Sequence, residues 1–211
     1  YLLEVSTSST FSTTVLSQTV TESSYTLVNN DLSGMSALDA SSYYWRVTAI
    51  YTDQKVVSGS FVFHVLDDYI VYVNGSSTAT GQVGNKGAPY KTVQAGIEAA
   101  NNRRSGVLAT VMDVYVASGA YTEEVSLRPG ISIRGGFEGS GWTRNVNNNL
   151  ATISAPTDVA VRGNSAITST YTATTVVDGL VIQGRGTTNF TGYGIYLSDA
   201  SPLIINNSIN G

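Results

Sequence analysis

The sequence predicts an all-β chain in two parts, a short antiparallel sandwich followed by a parallel β-helix. Three observations support this. Val, Ile, Tyr and Thr alternate with polar residues along most of the chain, and only 4 of its 211 residues are Pro. In the second part a short motif recurs, with apolar residues at its first and third places and a Gly or Asn at its end. Ahead of that repeat stands a single stretch with convincing helical spacing.

Composition narrows the function. Charged residues make up 12% of the chain, against about 25% in ordinary soluble domains. A hydrophobic content of 42% is still enough for a packed core. The net charge is −4 and the isoelectric point near 4.8, and with Lys and Arg scattered the chain gives little support to binding of nucleic acid or anionic lipid. Cys is absent, which excludes disulfides and thiolate metal sites and suits a protein of the bacterial exterior. No apolar run approaches the ~20 residues that span a membrane. The chain opens on Tyr1-Leu2-Leu3-Glu4-Val5, which reads as mid-strand, and closes on Asn210-Gly211 as a turn ends. Both ends look cut, and the expectation is a longer parent protein whose excised end self-associates or frays.

Residues 1–66 form the first predicted domain. Leu3-Val5, Tyr25-Thr26-Leu27, Tyr43 to Ala49 and Ser60 to Val65 alternate at least in part, separated by polar clusters such as Asn29-Asn30-Asp31 and Thr52-Asp53-Gln54-Lys55. The run Tyr43-Tyr44-Trp45-Arg46-Val47-Thr48-Ala49 resembles the sixth strand of a fibronectin type III domain. The resemblance implies that Leu3-Glu4-Val5-Ser6 with Phe11 is the third strand, Ser58 to Val65 the last, and Tyr43 the tyrosine-corner residue. The first two strands would then be missing. His64, the only histidine, alternates with Phe61, Phe63 and Val65 and reads as a solvent-facing strand residue rather than a metal ligand or base.

Residues 67–211 form the second. Tyr69 to Asn74 is a strong strand. Behind Pro89 and Thr92, residues Val93, Ile97 and Ala100 recur at helical spacing and predict a helix over about 92–101 that caps the open end of a solenoid core. Strands starting at Ile131, Val159, Leu180 and Leu203 then align by eye, 28, 21 and 23 residues apart. A weaker register links Val125, Thr152, Val176 and Ile195. One turn per roughly 20 to 30 residues describes a parallel β-helix. Gly139 to Asn145 reads as a projecting loop, and Asn207 as a member of a buried Asn ladder.

The runs Pro89 to Ala100, Val114 to Glu123, Val125 to Phe137 and Ala200 to Asn207 are similar to an uncharacterised family of right-handed β-helix proteins of bacterial surface and secreted origin. The resemblance implies a right-handed solenoid and no defined activity. Its wider superfamily includes pectate lyases, polygalacturonase-like hydrolases and phage tailspikes, so an enzyme is the rival reading.

Such enzymes need paired or stacked carboxylates. Asp158 and Asp178 come closest, preceding what aligns as the same strand on adjacent coils, but offset by one place. No catalytic residue, metal ligand or cofactor motif is assigned; P-loop and Rossmann fingerprints are absent. Arg134 and Arg162 occupy aligned outward places, continued by Gln183 and Asn206. This row is either a polar stripe for sugar carboxylates or sulfates or a plain solvated face. Trp142, Phe190 and Tyr193 either stack on sugar rings or pin loops. Three Asn-x-Ser/Thr triplets, at Asn74, Asn189 and Asn206, carry little weight in so Asn-rich a chain. The expected function is that of an extracellular or cell-surface structural and adhesive protein, a rigid spacer with Arg134, Arg162 and Trp142 as candidate polysaccharide contacts. The alternative is the N-terminal part of a carbohydrate-active β-helix enzyme.

Overall fold

A computed structural model describes residues 1–27, 42–64, 69–106, 111–163, 175–187 and 191–211. Among them are seventeen strands and one helix, so the chain is all-β in class. It divides into two compact units, Tyr1–Leu66 with Asn85–Gly87, and Asp67–Gly84 with Ala88–Gly211.

The described residues of the first unit form one antiparallel sheet. Its strands are β1 (Leu2–Ser6), β2 (Thr14–Thr19), β3 (Tyr43–Ile50), β4 (Lys55–Val57) and β5 (Phe61–Phe63). The order is β2-β1-β3-β4, and β5 also pairs with β3. Opposing registers place Leu3 across from Val47 and Val5 across from Trp45, so these apolar residues share a face. Glu4 and Arg46 oppose one another on the other face, where Arg46 Nε donates to Glu4 Oε2 at 2.8 Å. The Arg46 guanidinium also lies 4.1 Å from the Phe11 ring centroid.

Several expectations for this unit change. Phe11 is not part of the third strand; it sits in the β1–β2 turn at φ 58°. The predicted strand at Tyr25-Thr26-Leu27 does not form. Of the described residues in the predicted strand Ser58–Val65, only Phe61–Phe63 form a strand, and a further strand, Lys55–Val57, precedes it, after a tight turn in which Tyr51 N–H donates to Gln54 C=O. Val65 and Asn29-Asn30-Asp31 lie outside the described residues. Tyr43 is fully buried and stacks on Phe63 with ring centroids 5.4 Å apart. His64 is exposed just past β5, as predicted for a solvent-facing residue.

The second unit begins with β6 (Ile70–Val73) and α1 (Val93–Gly106), followed by eleven strands. These are β7 (Met112–Ala117), β8 (Gly119–Thr122), β9 (Val125–Ser126), β10 (Ile131–Phe137), β11 (Ala151–Ser154) and β12 (Val159–Gly163). Then come β13 (Val176–Asp178), β14 (Leu180–Gln183), β15 (Tyr193–Leu197), β16 (Leu203–Ile205) and β17 (Ser208–Asn210). They assort into three parallel sheets, β16-β13-β10-β7-β6, β17-β14-β11-β8 and β15-β12-β9. From β7 onward the chain visits the three sheets in fixed rotation. Each strand from β7 to β14 therefore pairs with the strand three places later, while β6 pairs with its sequence neighbour β7.

This rotation corrects the repeat read from sequence. The strands aligned by eye, β10, β12, β14 and β16, are every second strand, and only β10 and β16 share a sheet. True partners lie at other and uneven spacings along the chain, as in Met112↔Ile131, Gly119↔Ala151↔Leu180 and Val125↔Val161↔Ile195. The motif misled because every strand needs apolar residues at alternate places, whichever sheet it joins.

The helix runs to Gly106, five residues beyond its predicted end. Its last turn is secured by arginines, with Arg103 donating to the Ile70 and Val83 carbonyls and Arg104 to that of Pro129. Cations there also complement the helix dipole. The N-terminus is held from a distance, by Glu123 accepting from the Val93 and Gln94 amides at 2.8 and 2.9 Å. Val93, Ile97 and Ala100 enter a core built with Val71, Val114, Ile133, Ile153 and Ile182. Gly96 permits this packing, since a Cβ there would lie 2.4 Å from Val73 Cγ2.

Candidate functional site

The polar side chains of the second unit fall into three groups, each fixed by a different sheet. Arg134 stands on β10, directly beside Asp178 of β13. Its Nη1 donates to Asp178 Oδ2 at 3.2 Å and its Nε to Asp113 Oδ1 of β7 at 3.0 Å. Arg144, from the loop after β10, reaches the same Asp178 oxygen at 2.8 Å, and Asn206 donates to Oδ1 at 2.9 Å. Asp178 is 2% exposed. Burial alone pushes its carboxyl up, but the bonds from Asn206 and Arg144 and the charges of Arg144 and Arg134 outweigh this and bring it below the usual carboxylate range. Two acids and two bases thus neutralise one another across three strands.

Arg162 belongs to the second group. It stands on β12 between Ser126 of β9 and Tyr196 of β15. Its Nε donates to Glu124 Oε1 at 2.7 Å, and its guanidinium lies 5.3 Å from the Tyr196 ring centroid. The hydrogen bond from Arg162 to Glu124, then the Coulombic pull of Glu124, Asp158 and Tyr196, raise its pKa against the opposing effect of burial.

The row predicted from sequence is therefore not formed. Arg134, Arg162 and Gln183 stand on three different sheets, and Asn206 lies just past β16 in the sheet of Arg134. Both arginines spend their charge on intramolecular carboxylates. Asp158 and Asp178 likewise flank different sheets. Trp142 is buried, 7% exposed, with its ring 4.7 Å from Tyr72 and 6.4 Å from Phe137. Its φ of 58° turns the chain so that the ring enters this small aromatic cluster, and its Nε1 has no hydrogen-bond partner among the described residues. It presents no open face to a sugar. Phe190 lies outside the described residues. Asn207 forms no Asn ladder; its Oδ1 accepts from the Leu180 amide and its Nδ2 donates to the Val177 carbonyl, pinning the β13–β14 bend.

The third group lines a cleft of about 670 Å³, bounded by Pro156-Thr157-Asp158, Arg185, Thr187, Thr191 and Tyr193. The backbone of Asp158 organises it, its carbonyl accepting from the Arg185 amide at 3.3 Å and the Tyr193 amide at 2.8 Å. Its carboxylate stays exposed, and the Thr157 hydroxyl donates to Oδ1 at 3.0 Å. That bond, then the Asp158 and Val159 amides, hold the carboxyl below its ordinary range. Arg185 Nη1 donates to the Pro156 carbonyl at 3.1 Å and makes no other hydrogen bond among the described residues. Tyr193 is 46% exposed, with its ring braced by an edge contact to Tyr196 at 5.7 Å. The sequence reading named Tyr193 but passed over Arg185 and weighed Asp158 only as half of a pair. The available signal was the cluster Gly184, Gly186, Gly192 and Gly194, which marks two backbones in close approach. A Cβ on Gly184 would lie 2.5 Å from the Tyr193 carbonyl carbon.

No protein-family model, curated protein or solved structure matches this chain. The geometry of its own residues must carry the functional reading. Among the described residues no group of three or more His, Asp or Glu could hold a metal ion, and no helix is long and apolar enough to cross a membrane.

The first unit offers a groove of different character. It has about 500 Å³ of space and is lined chiefly by Leu3, Val5, Trp45, Val47 and Phe63 on the apolar face of the sheet. Tyr25 and Leu27 also line it, although they form no strand.

Proposed function

We propose that the second unit is a right-handed parallel β-helix, and that the protein serves outside a bacterial cell as a rigid, glycan-binding module of an adhesive or structural protein. The observation that carries this is the rotation of eleven successive strands through three parallel sheets. Backbone ladders then run from rung to rung, and stiffness follows from their repetition while loops between strands are left to vary. Ion pairs across rungs, Asp113–Arg134–Asp178 and Glu124–Arg162, add to that stiffness by tying neighbouring strands together. In this reading α1 caps the first rung.

The first unit fits a fibronectin type III-like module. The resemblance assigns β1, β3 and β5 as third, sixth and last strands, and the pairing of β3 with both β1 and β5 supports a C-F-G arrangement of the immunoglobulin type.

The test is a glycan array probed with the whole chain, together with an assay for released reducing or unsaturated sugars. Binding without turnover is expected. Retention of no glycan defeats the reading, and sugar release replaces it with that of a carbohydrate-active enzyme.

A further inference from the structure

We infer that the cleft between Asp158, Arg185 and Tyr193 is a binding site for a neutral saccharide, a pyranose with free neighbouring hydroxyls. This rests on the glycan-binding reading and gives it a place and a chemical class.

Charge decides the class. The two arginines that sequence patterning offers to acidic sugars are already neutralised, Arg134 by Asp113 and Asp178 and Arg162 by Glu124. A uronate or sulfate placed on either would have to displace a carboxylate held at hydrogen-bond distance, which costs more than it returns. In the cleft the balance differs. Asp158 presents an exposed anionic acceptor and Arg185 an exposed cationic donor, so an anionic ligand meets repulsion from one wall as it meets attraction from the other. A neutral diol suits both. Its hydroxyl protons point to Asp158 and its oxygens accept from Arg185, with charge-assisted hydrogen bonds at each end.

Shape agrees with charge. Roughly half the surface of Tyr193 is open, and its contact with Tyr196 fixes the ring before any ligand arrives. An aromatic face so placed covers the apolar side of a pyranose, while Thr157 and Thr187 also line the cleft. The carboxylate is oriented in advance by the Thr157 hydroxyl, and the loop carrying it is anchored by backbone bonds to Arg185 and Tyr193. A volume of about 670 Å³ lies within the range of small-ligand sites.

The test uses the intact chain. Neutral and acidic oligosaccharides are titrated calorimetrically into wild type, Asp158→Asn, Tyr193→Ala and Tyr193→Phe, with thermal unfolding of each variant recorded alongside. Asp158→Asn keeps the backbone carbonyl that anchors the loop, so folding is retained. Neutral sugars should bind wild type, and Asp158→Asn and Tyr193→Ala should each weaken them by about tenfold or more. Tyr193→Phe, which keeps the ring, should bind within about threefold of wild type, and raising salt to about 0.5 M should change affinity less than about twofold. If neutral sugars bind and neither Asp158→Asn nor Tyr193→Ala weakens them, the cleft is wrong and the glycan-binding reading stands. Binding of acidic sugars alone, with steep salt dependence, overturns the neutral class. Absence of any glycan binding by wild type removes both.

Discussion

The two units solve the problem of covering apolar side chains in different ways. In the second, Val114, Ile133, Ile153 and Ile182, each on a different strand, are all wholly inaccessible to solvent. In the first, Leu3, Val5 and Tyr43 are buried, but Val56, Val57, Phe61 and Val62 are all at least half exposed. The sequences of both alternate equally well. The difference lies in enclosure, because strands of three sheets and α1 contribute to one core in the second unit, whereas the described residues of the first unit form a single sheet. Period-two alternation thus establishes a strand with an apolar side and leaves open whether that side meets anything.

The sharpest way to break this comparison is core truncation. Ile153→Ala should destabilise the second unit by about 2–5 kcal/mol, read as a lowered denaturant midpoint. Hydrogen exchange should show the loss spread over β8, β11 and β14. An equal loss from Phe61→Ala in the first unit would erase the distinction.

Next comes the buried charge network. Asp178→Ala leaves Arg134 and Arg144 without their shared acceptor and should cost about 3 kcal/mol, toward the lower end for a buried pair because both arginines reach solvent. Its pH dependence has a definite sign. The folded carboxyl titrates below its unfolded value near about 3.9, so its contribution is present above that pH and lost as pH falls through the lower folded value. Acid unfolding curves should steepen below about pH 4 in wild type, and Asp178→Asn should remove that component.

A smaller effect is expected at the helix. Glu123→Gln keeps an acceptor for only one of the Val93 and Gln94 amides, which donate to different carboxylate oxygens, and removes the negative charge from the helix N-terminus, at a cost of about 1 kcal/mol or more. Nearby Tyr121, its phenol pushed up to about 12 by burial and the charge of Glu123 against the lowering effect of the Gly75 amide, should titrate lower in this variant, as a spectrophotometric alkaline titration would record. Smallest of all, Val56→Thr on the exposed part of the first unit should change stability by less than about 0.5 kcal/mol. A larger loss would mean that this face is covered in solution.

Legibility from sequence followed the range of the interaction. The start of α1 at Val93 was readable from Pro89, Thr92 and apolar spacing, but its extension to Gly106 was not. The last turn rests on Arg103 and Arg104 reaching carbonyls of Ile70, Val83 and Pro129 far away in sequence. Trp142 was readable as an aromatic in a loop, while its burial depends on meeting Tyr72 and Phe137. Arg134 was seen as outward-facing, yet its partners Asp113 and Asp178 are 21 and 44 residues distant. The cleft left the faintest trace, four glycines within eleven residues, because its polar groups come from three separated segments.

By itself, the sequence determined the class of this protein, since strand periodicity, few prolines and one helical spacing are local properties of consecutive residues. It also determined what the chemistry lacks, there being no thiol and a single imidazole. Which strand stands beside which was decided only by the tertiary structure. All these strands carry the same alternating pattern, so pattern alone cannot distinguish a partner one strand away from one three strands away. Parallel pairing through a rotation of sheets depends on how the bends between strands add up, and so does every ion pair or cleft that spans neighbouring strands.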